Sequence, residues 1–279
     1  MTKGTAIVTG ANGGIGLYTA LGLARAGMRV VMVGRDAGRL DAGRRFVAER
    51  TDGTRLAIAA ADFASLAAVR RLAAELLASE ARIDVLVNNA GLSIAQFART
   101  ADGNETTFAV NHLAPFLLTN LLLDRLKAST PARVITVASA AHRRARLDLA
   151  TVNGPRDWSM VKAYSRSKLC NILFTAELAR RLDGSGVVAT CLHPGVVATA
   201  IAAHGLVGLF WRLGRPFMVS PEKGAETSVF LATVADPAPF HGAYVVGRER
   251  AETDPQARDP ALARALWEES ARLTGLASQ

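Results

Sequence analysis

An α/β fold, with a doubly wound parallel sheet of about seven strands flanked by helices, is predicted by three observations. Short apolar, β-branched runs alternate with helical patterns along nearly all of the 279 residues. The first run passes through a glycine-rich turn straight into a helix. No repeat, low-complexity tract or linker divides the chain, so residues 1–279 read as one domain. Half of the residues are apolar, enough for a sizeable core.

The first strand is Thr5 to Thr9, followed by Gly10-x-x-x-Gly14-x-Gly16 and a helix through Leu17, Ala20, Leu21 and Leu23. Glycines let the backbone approach a pyrophosphate, and the free N–H groups at a helix start favour an anion, which makes the fold Rossmann-type. Arg29 to Val33 is the second strand and closes a β-α-β unit. At its end, Gly34 occupies the position where an acidic residue would bind the ribose of NAD, and Arg35 follows. An arginine there neutralises a 2′-phosphate, so NADP(H) is expected over NAD(H). Arg39, one turn on, either assists or belongs to a solvated face. Asp36 has two readings, a ribose ligand in an alternative register or the cap of the next helix.

The third strand runs from Arg55 to Ala60, with Asp62 just beyond it. Asp62 can accept from an adenine amino group or cap a helix starting near Ala64. Ile83 to Val87 is the fourth strand and ends in Asn88-Asn89-Ala90-Gly91, small enough for a ligand to come close. A helix is predicted from about Asn104 to Lys127, with Asn111 in its apolar face as a satisfied core amide or a water-holding relay residue. Arg133 to Val137 is the fifth strand, and Ser139 after it is a turn former by type. Ala140 to Ser159 reads as a loop.

Met160 to Leu182 is an amphipathic helix stopped by Asp183-Gly184. Tyr164 and Lys168, four apart, share one face, and an ammonium beside a phenol favours the phenolate. Alone this pair proves little, because the spacing is common. Val187 to Leu192 is the sixth strand and leads into His193-Pro194-Gly195. Residues 200–220 are apolar and turn-rich, with Leu209-Phe210-Trp211, and read as a packed surface loop or a lid over an apolar substrate. A helix from Pro221 to Val234, a last strand from Ala243 to Val246 and a helix from Asp259 to Leu273 complete the chain.

The formal charge of +9 invites a nucleic-acid partner, but arginines are scattered and no aromatic-interleaved basic stripe occurs, so none is expected. Cys170 and Cys191 lie in apolar elements without metal or redox spacing, which fits a reduced, cytoplasmic setting and no metal. The N-terminus enters a strand at once, and no signal peptide or membrane-spanning segment is expected. Leu209-Phe210-Trp211 with Arg212 and Arg215 would suit peripheral membrane binding alongside catalysis.

Taken together, Thr9-Gly10-x-x-x-Gly14-x-Gly16, Asn88-Asn89-Ala90-Gly91, Asn111, Ser139, Tyr164-x-x-x-Lys168 and Pro194-Gly195 resemble the short-chain dehydrogenase/reductase family over nearly the whole chain. Phe108 to Leu113, Phe116 to Asn120 and Asn171 to Leu182 resemble its retinol dehydrogenase group and bacterial relatives, with light-dependent protochlorophyllide reductases sharing much of the pattern. Ala138 departs from that group, which often has a second serine there.

The resemblance implies an oxidoreductase that interconverts a hydrophobic carbonyl compound and its alcohol. It implies Asn111, Ser139, Tyr164 and Lys168 as the catalytic set: Tyr164 the acid/base, Ser139 the orienting group, Lys168 the ribose binder and Asn111 the holder of a relay water. It implies a cofactor wall of Gly10, Asn12, Gly13, Gly14, Ile15, Gly16, Arg35, Asp62, Phe63, Asn89, Ala90, Gly91, Tyr164, Lys168, Pro194, Gly195, Val197 and Thr199. It also implies a homodimer through the helices carrying Asn111 and Tyr164. The alternatives are a cofactor-sensing regulator without chemistry and a C=C reductase of the protochlorophyllide type.

Overall fold

The computed structural model describes residues 4–51, 55–154, 156–195 and 219–276. Strands β1 (Thr5–Thr9), β2 (Arg29–Gly34), β3 (Leu56–Ala60), β4 (Val85–Asn88), β5 (Ala132–Val137), β6 (Val187–His193), β7 (Tyr244–Val246) and β8 (Glu249–Arg250) form one sheet. Their order is β3-β2-β1-β4-β5-β6-β7-β8. Neighbours run parallel except β7 and β8. The strand order reverses at β1 and β4, and the crevice at their carboxyl ends is where such sheets bind ligands.

The sheet has eight strands where the sequence suggests about seven. The added one, β8, pairs Val245 with Arg250 and Val246 with Glu249 across a two-residue turn. Gly247 takes φ +65° there, a conformation that glycine adopts without strain. Glu249 and Arg250 are charged and exposed, so no apolar alternation marks them as a strand.

Side chains leave each strand alternately to the two faces. Ala6, Val8, Val30, Met32, Val85 and Val87 pack beneath α1 (Gly14–Arg25) and α2 (Ala37–Ala48). Ile7, Val31, Val33 and Leu86 face the opposite layer, with α3 (Leu66–Ser79) and residues further along the chain. Each such fully buried aliphatic contributes roughly 1.5–3 kcal/mol from its transfer out of water. Asp36 caps α2 through Arg39 N (2.9 Å) and Ser65 caps α3 through Ala68 N (3.2 Å).

The helix expected from Asn104 to Lys127 is divided into α4 (Thr106–Phe108), a π turn (Ala109–Leu113), α5 (Ala114–Leu121) and α6 (Leu123–Ala128). Pro115 explains the widened turn. It has no N–H to give the Asn111 carbonyl four residues back, and its ring crowds that carbonyl.

Helix α7 (Met160–Arg181) lies against β5 and β6, and α8 (Pro221–Thr233) packs on α1. The last helix, α9 (Pro260–Thr274), crosses α7 and the π turn. Its Trp267 stacks on Phe174 at 5.8 Å and meets Phe116 edge-on at 4.9 Å. Ser270 Oγ lies 2.8 Å from His112 Nε2, and burial pushes that imidazole down to about 3. The helices expected to face a second copy are thus covered in part by the chain's own α9. Among the described residues, no helix is long and apolar enough to cross a membrane.

Candidate active site

The glycine turn is shaped by close approach. Gly10 has φ +67°, and a Cβ on it would come within 2.9 Å of Ala90 Cα. A Cβ on Gly16 would lie 2.3 Å from the Gly10 carbonyl oxygen. Gly14 has φ +54° and opens α1, whose N-cap Gly13 offers no side-chain acceptor, so the first N–H groups of the helix stay available to an anion. Ile15 is partly buried behind them.

The Asn88–Gly91 segment braces this turn. Thr9 Oγ1 accepts from the backbone N–H groups of Asn89 and Ala90, each at 3.0 Å. Asn89 Nδ2 donates to the Thr9 carbonyl at 2.7 Å, while Asn88 Nδ2 donates to Thr119 Oγ1 at 2.9 Å. The Asn89 amide nitrogen is engaged in holding the glycine turn.

At the end of β2, a Cβ on Gly34 would stand 3.1 Å from Asn12 Oδ1, so Asn12 fills the space of an acidic side chain there. Asp36 is engaged as a helix cap. Arg35 is exposed, with no partner among the described residues. Arg39 turns toward the glycine loop, its Nη2 lying 3.9 Å from where a Cβ on Gly13 would sit. Asp62 is exposed and accepts from Ala64 N at 3.0 Å, whereas the Phe63 ring is buried in the core and leaves only its backbone to a ligand. Pro194 and Gly195 follow β6, and Gly195 has φ +86°. Val197, Thr199 and residues 200–218 of the expected lid lie outside the described residues.

Ser159 caps α7 through Lys162 N (3.3 Å), and the helix carries Tyr164 and Lys168 one turn apart toward the carboxyl end of β5. The Tyr164 side chain comes close to that of Ser139. Burial raises the Tyr164 pKa above that of a free phenol, and the Ser139 hydroxyl pulls it partly back. This corrects the expectation that Lys168 would set the direction. Lys168 Nζ sits 5.5 Å from the centre of the Tyr164 ring and donates to the Val137 carbonyl at 2.9 Å. Burial takes its own pKa down to about 8. Ser139 Oγ accepts from Ala141 N at 3.2 Å, which leaves the hydroxyl proton free to be donated.

Asn111, fully buried in the π turn, accepts from Leu92 N (2.7 Å) and donates to Leu92 O (2.9 Å) and Ser167 Oγ (3.0 Å). Ser167 Oγ in turn donates to the Tyr164 carbonyl at 2.7 Å. The amide is a satisfied core group, as one reading held, with one lone pair of Oδ1 left over. The four expected catalytic residues thus meet in one place, drawn from the π turn, the end of β5 and α7.

In the stretch from Ala140 to Ser159, expected as a loop, Ala140–Arg144 form a 3-10 turn, and Asn153 and Trp158 are latched to the start of α4. The buried Glu105 carboxylate accepts from Thr107 N (3.0 Å), Phe108 N (2.7 Å) and Trp158 Nε1 (3.3 Å). Asn153 Oδ1 accepts from Glu105 N at 2.7 Å, and Trp158 meets Phe97 edge-on at 6.0 Å. One asparagine and a lone tryptophan at loop spacing carry no periodic signal, so the latch is invisible to pattern reading.

The sequence profile of the short chain dehydrogenase family matches residues 4–205. Human retinol dehydrogenase 13 is 43% identical over 284 residues, covering 98% of this chain and 85% of that protein. The crystal structure of an uncharacterized protein from Mycobacterium Paratuberculosis matches with a TM-score of 0.78 and 35% identity, covering 98% of this chain and 94% of that one. The Pseudomonas aeruginosa RhlG/NADP active-site complex matches with a TM-score of 0.70 and 28% identity, covering 88% and 95%. This chain belongs to the short-chain dehydrogenase family.

Proposed function

We propose that this chain is an NADP(H)-dependent oxidoreductase that interconverts a hydrophobic carbonyl compound and its alcohol, with Tyr164 exchanging the proton. The observation that carries this reading is the meeting of the half-buried Tyr164 side chain with Ser139 at the end of β5 and with Lys168 one turn further along the same helix. NADP(H) fits the glycine turn, the open start of α1, and Arg35 and Arg39 beside a β2 end that presents no acidic side chain. The glycines and the α1 N–H groups would hold the pyrophosphate, the two arginines the 2′-phosphate, and Lys168 the nicotinamide ribose. RhlG, a relative by fold and sequence, is described in complex with NADP, which supports the cofactor. The apolar composition of residues 200–220 and the naming of the human relative as a retinol dehydrogenase support a hydrophobic substrate.

When bound, the cofactor supplies or accepts the hydride. The protein handles the proton and the charge. A phenol holds its proton at neutral pH and partial burial strengthens that hold, so the Tyr164 hydroxyl gives a proton to the carbonyl oxygen as that oxygen becomes negative. Ser139, with its hydroxyl proton free, hydrogen-bonds the same oxygen and orients it. Lys168 holds positive charge near the tyrosine as it loses its proton. Asn111 and Lys168 border the space beside Gly91, which suits a water returning that proton.

Titration with NADPH and NADH, followed by fluorescence, tests the cofactor, and NADPH oxidation with hydrophobic aldehydes and ketones tests the chemistry. Tyr164→Phe should bind NADPH like the wild type and lose about 100-fold to 10,000-fold in kcat. A Tyr164→Phe variant with full turnover would overturn the assignment.

A further inference from the structure

His142 is wholly buried and lies three residues beyond Ser139. Its ring nitrogens meet two backbone groups whose roles are fixed. Nδ1 lies 2.7 Å from the Ser139 carbonyl oxygen, which can only accept. Nε2 lies 3.3 Å from the Asp254 backbone N–H, which can only donate. Both bonds form together in one species, the neutral imidazole with its proton on Nδ1. The Tyr244 ring closes the site edge-on at 5.1 Å. Asp254 is not a loose end, because neighbouring Gln256 bonds both the N–H (3.0 Å) and the carbonyl (3.1 Å) of Leu147. A segment more than a hundred residues away in sequence is thereby tied through one imidazole to the peptide of the serine that faces Tyr164.

We propose that His142 is a positioning residue for the reaction, fixing the Ser139 peptide so that the serine hydroxyl points at Tyr164 and the substrate oxygen. The inference rests on the reading of Ser139 given above. Protonation at Nε2 would set two donors, the ring and Asp254 N–H, against each other. Burial opposes that protonation by holding the His142 pKa below its ordinary value. The sequence offered no signal for the role, since His142 falls in a stretch read as loop and its second partner lies at position 254.

The test compares His142→Phe, His142→Asn, Ser139→Ala and the Ser139→Ala/His142→Phe double variant in the full-length protein. Turnover is read with NADPH and the fastest of nonanal, 4-nitrobenzaldehyde and all-trans-retinal. Asparagine can place its Nδ2–H where the imidazole Nδ1–H lies, and phenylalanine keeps only the ring. We expect His142→Phe to lower kcat about tenfold to a hundredfold with NADPH affinity unchanged, and His142→Asn to restore most of it. In the Ser139→Ala background, His142→Phe should have no further effect on kcat. Equal kcat in wild type and His142→Phe, equal losses in the Phe and Asn variants, or losses that multiply in the double variant would each overturn the proposal. Should His142→Phe not fold, His142→Gln replaces it, its longer amide missing the Ser139 carbonyl, and equal kcat in the Asn and Gln variants would overturn the proposal. Ser139→Ala with full turnover would instead overturn the role of the serine, and the role of His142 with it. Nitrogen-15 shifts of the imidazole, assigned by loss of the signal in His142→Asn, give a reading independent of turnover. An Nδ1–H tautomer supports the proposal, and an Nε2–H tautomer overturns it.

Discussion

Asn111 Oδ1 and Lys168 Nζ flank one small space: a Cβ added at Gly91 would lie 3.4 Å from the first and 3.6 Å from the second. Gly91 does not need a left-handed conformation, so alanine fits its backbone. Gly91→Ala should fold and bind NADPH, yet its methyl would take the place of a water passing between the amide and the ammonium. We expect a fall in kcat of about tenfold with little change in stability. Steady-state kinetics beside a thermal melt decide this, and unchanged kcat would remove the water from that place.

Lys168 is held in the core at a cost in stability. Its folded pKa is about 8 against an ordinary value of 10.5. Below pH 8 both the folded and the unfolded lysine are charged, and the folded state bears the full desolvation penalty, about 3 kcal/mol at most. Between pH 8 and 10.5 the folded lysine loses its proton first and the penalty disappears. Lys168→Met should therefore be more stable than wild type at pH 7, with the difference narrowing toward pH 10. The Val137 carbonyl keeps a donor in Asn171 Nδ2 at 3.3 Å. Turnover of the variant should be lost at every pH, and that of the wild type should decline as pH rises through about 8. Urea titrations at pH 7 and pH 10 measure the first effect.

Arg39 points at the glycine turn, and Arg35 is exposed at the end of β2. A charge-assisted bond to a phosphate contributes about 1.5–3 kcal/mol. Arg39→Ala and Arg35→Ala should each raise the Kd for NADPH about tenfold to a hundredfold, and leave that for NADH unchanged. Fluorescence titration with both cofactors distinguishes this from a general weakening of the site.

Trp267 joins α9 to Phe116 and Phe174 and is 8% exposed, so its removal should open a cavity over the helices that carry Asn111 and Tyr164. Trp267→Ala should lower stability by about 3–5 kcal/mol. The π turn depends on the same contact through His112 and Ser270, so kcat should fall as well. Chemical denaturation and turnover, measured together, check both.

Much of the architecture was legible in the chain. Strands β1 to β7 and the glycine turn are local patterns, and the reading located each to within a residue or two. The Tyr164–Lys168 pair was legible because a helix brings residues four apart together without help from the rest of the fold. What the reading missed was set at longer range or carried no hydrophobic period. Strand β8 is two charged residues, and the π turn answers to a single proline. The latch of residues 145–159 depends on Glu105, some 50 positions earlier.

The succession of strands and helices along the chain, the place of the glycine turn and the identity of the four residues expected to act can all be read from local sequence. These follow from backbone preferences and periodicities that operate within a few residues. What each side chain does there depends on the packed fold. It joined the Asn89 amide to the glycine turn, buried the Phe63 ring and gave Lys168 the Val137 carbonyl as acceptor. It raised the Tyr164 pKa where helical spacing alone argued the reverse. Burial and hydrogen-bond partners are properties of neighbours brought together from distant parts of the chain, and the desolvation they impose outweighs what adjacent residues set locally.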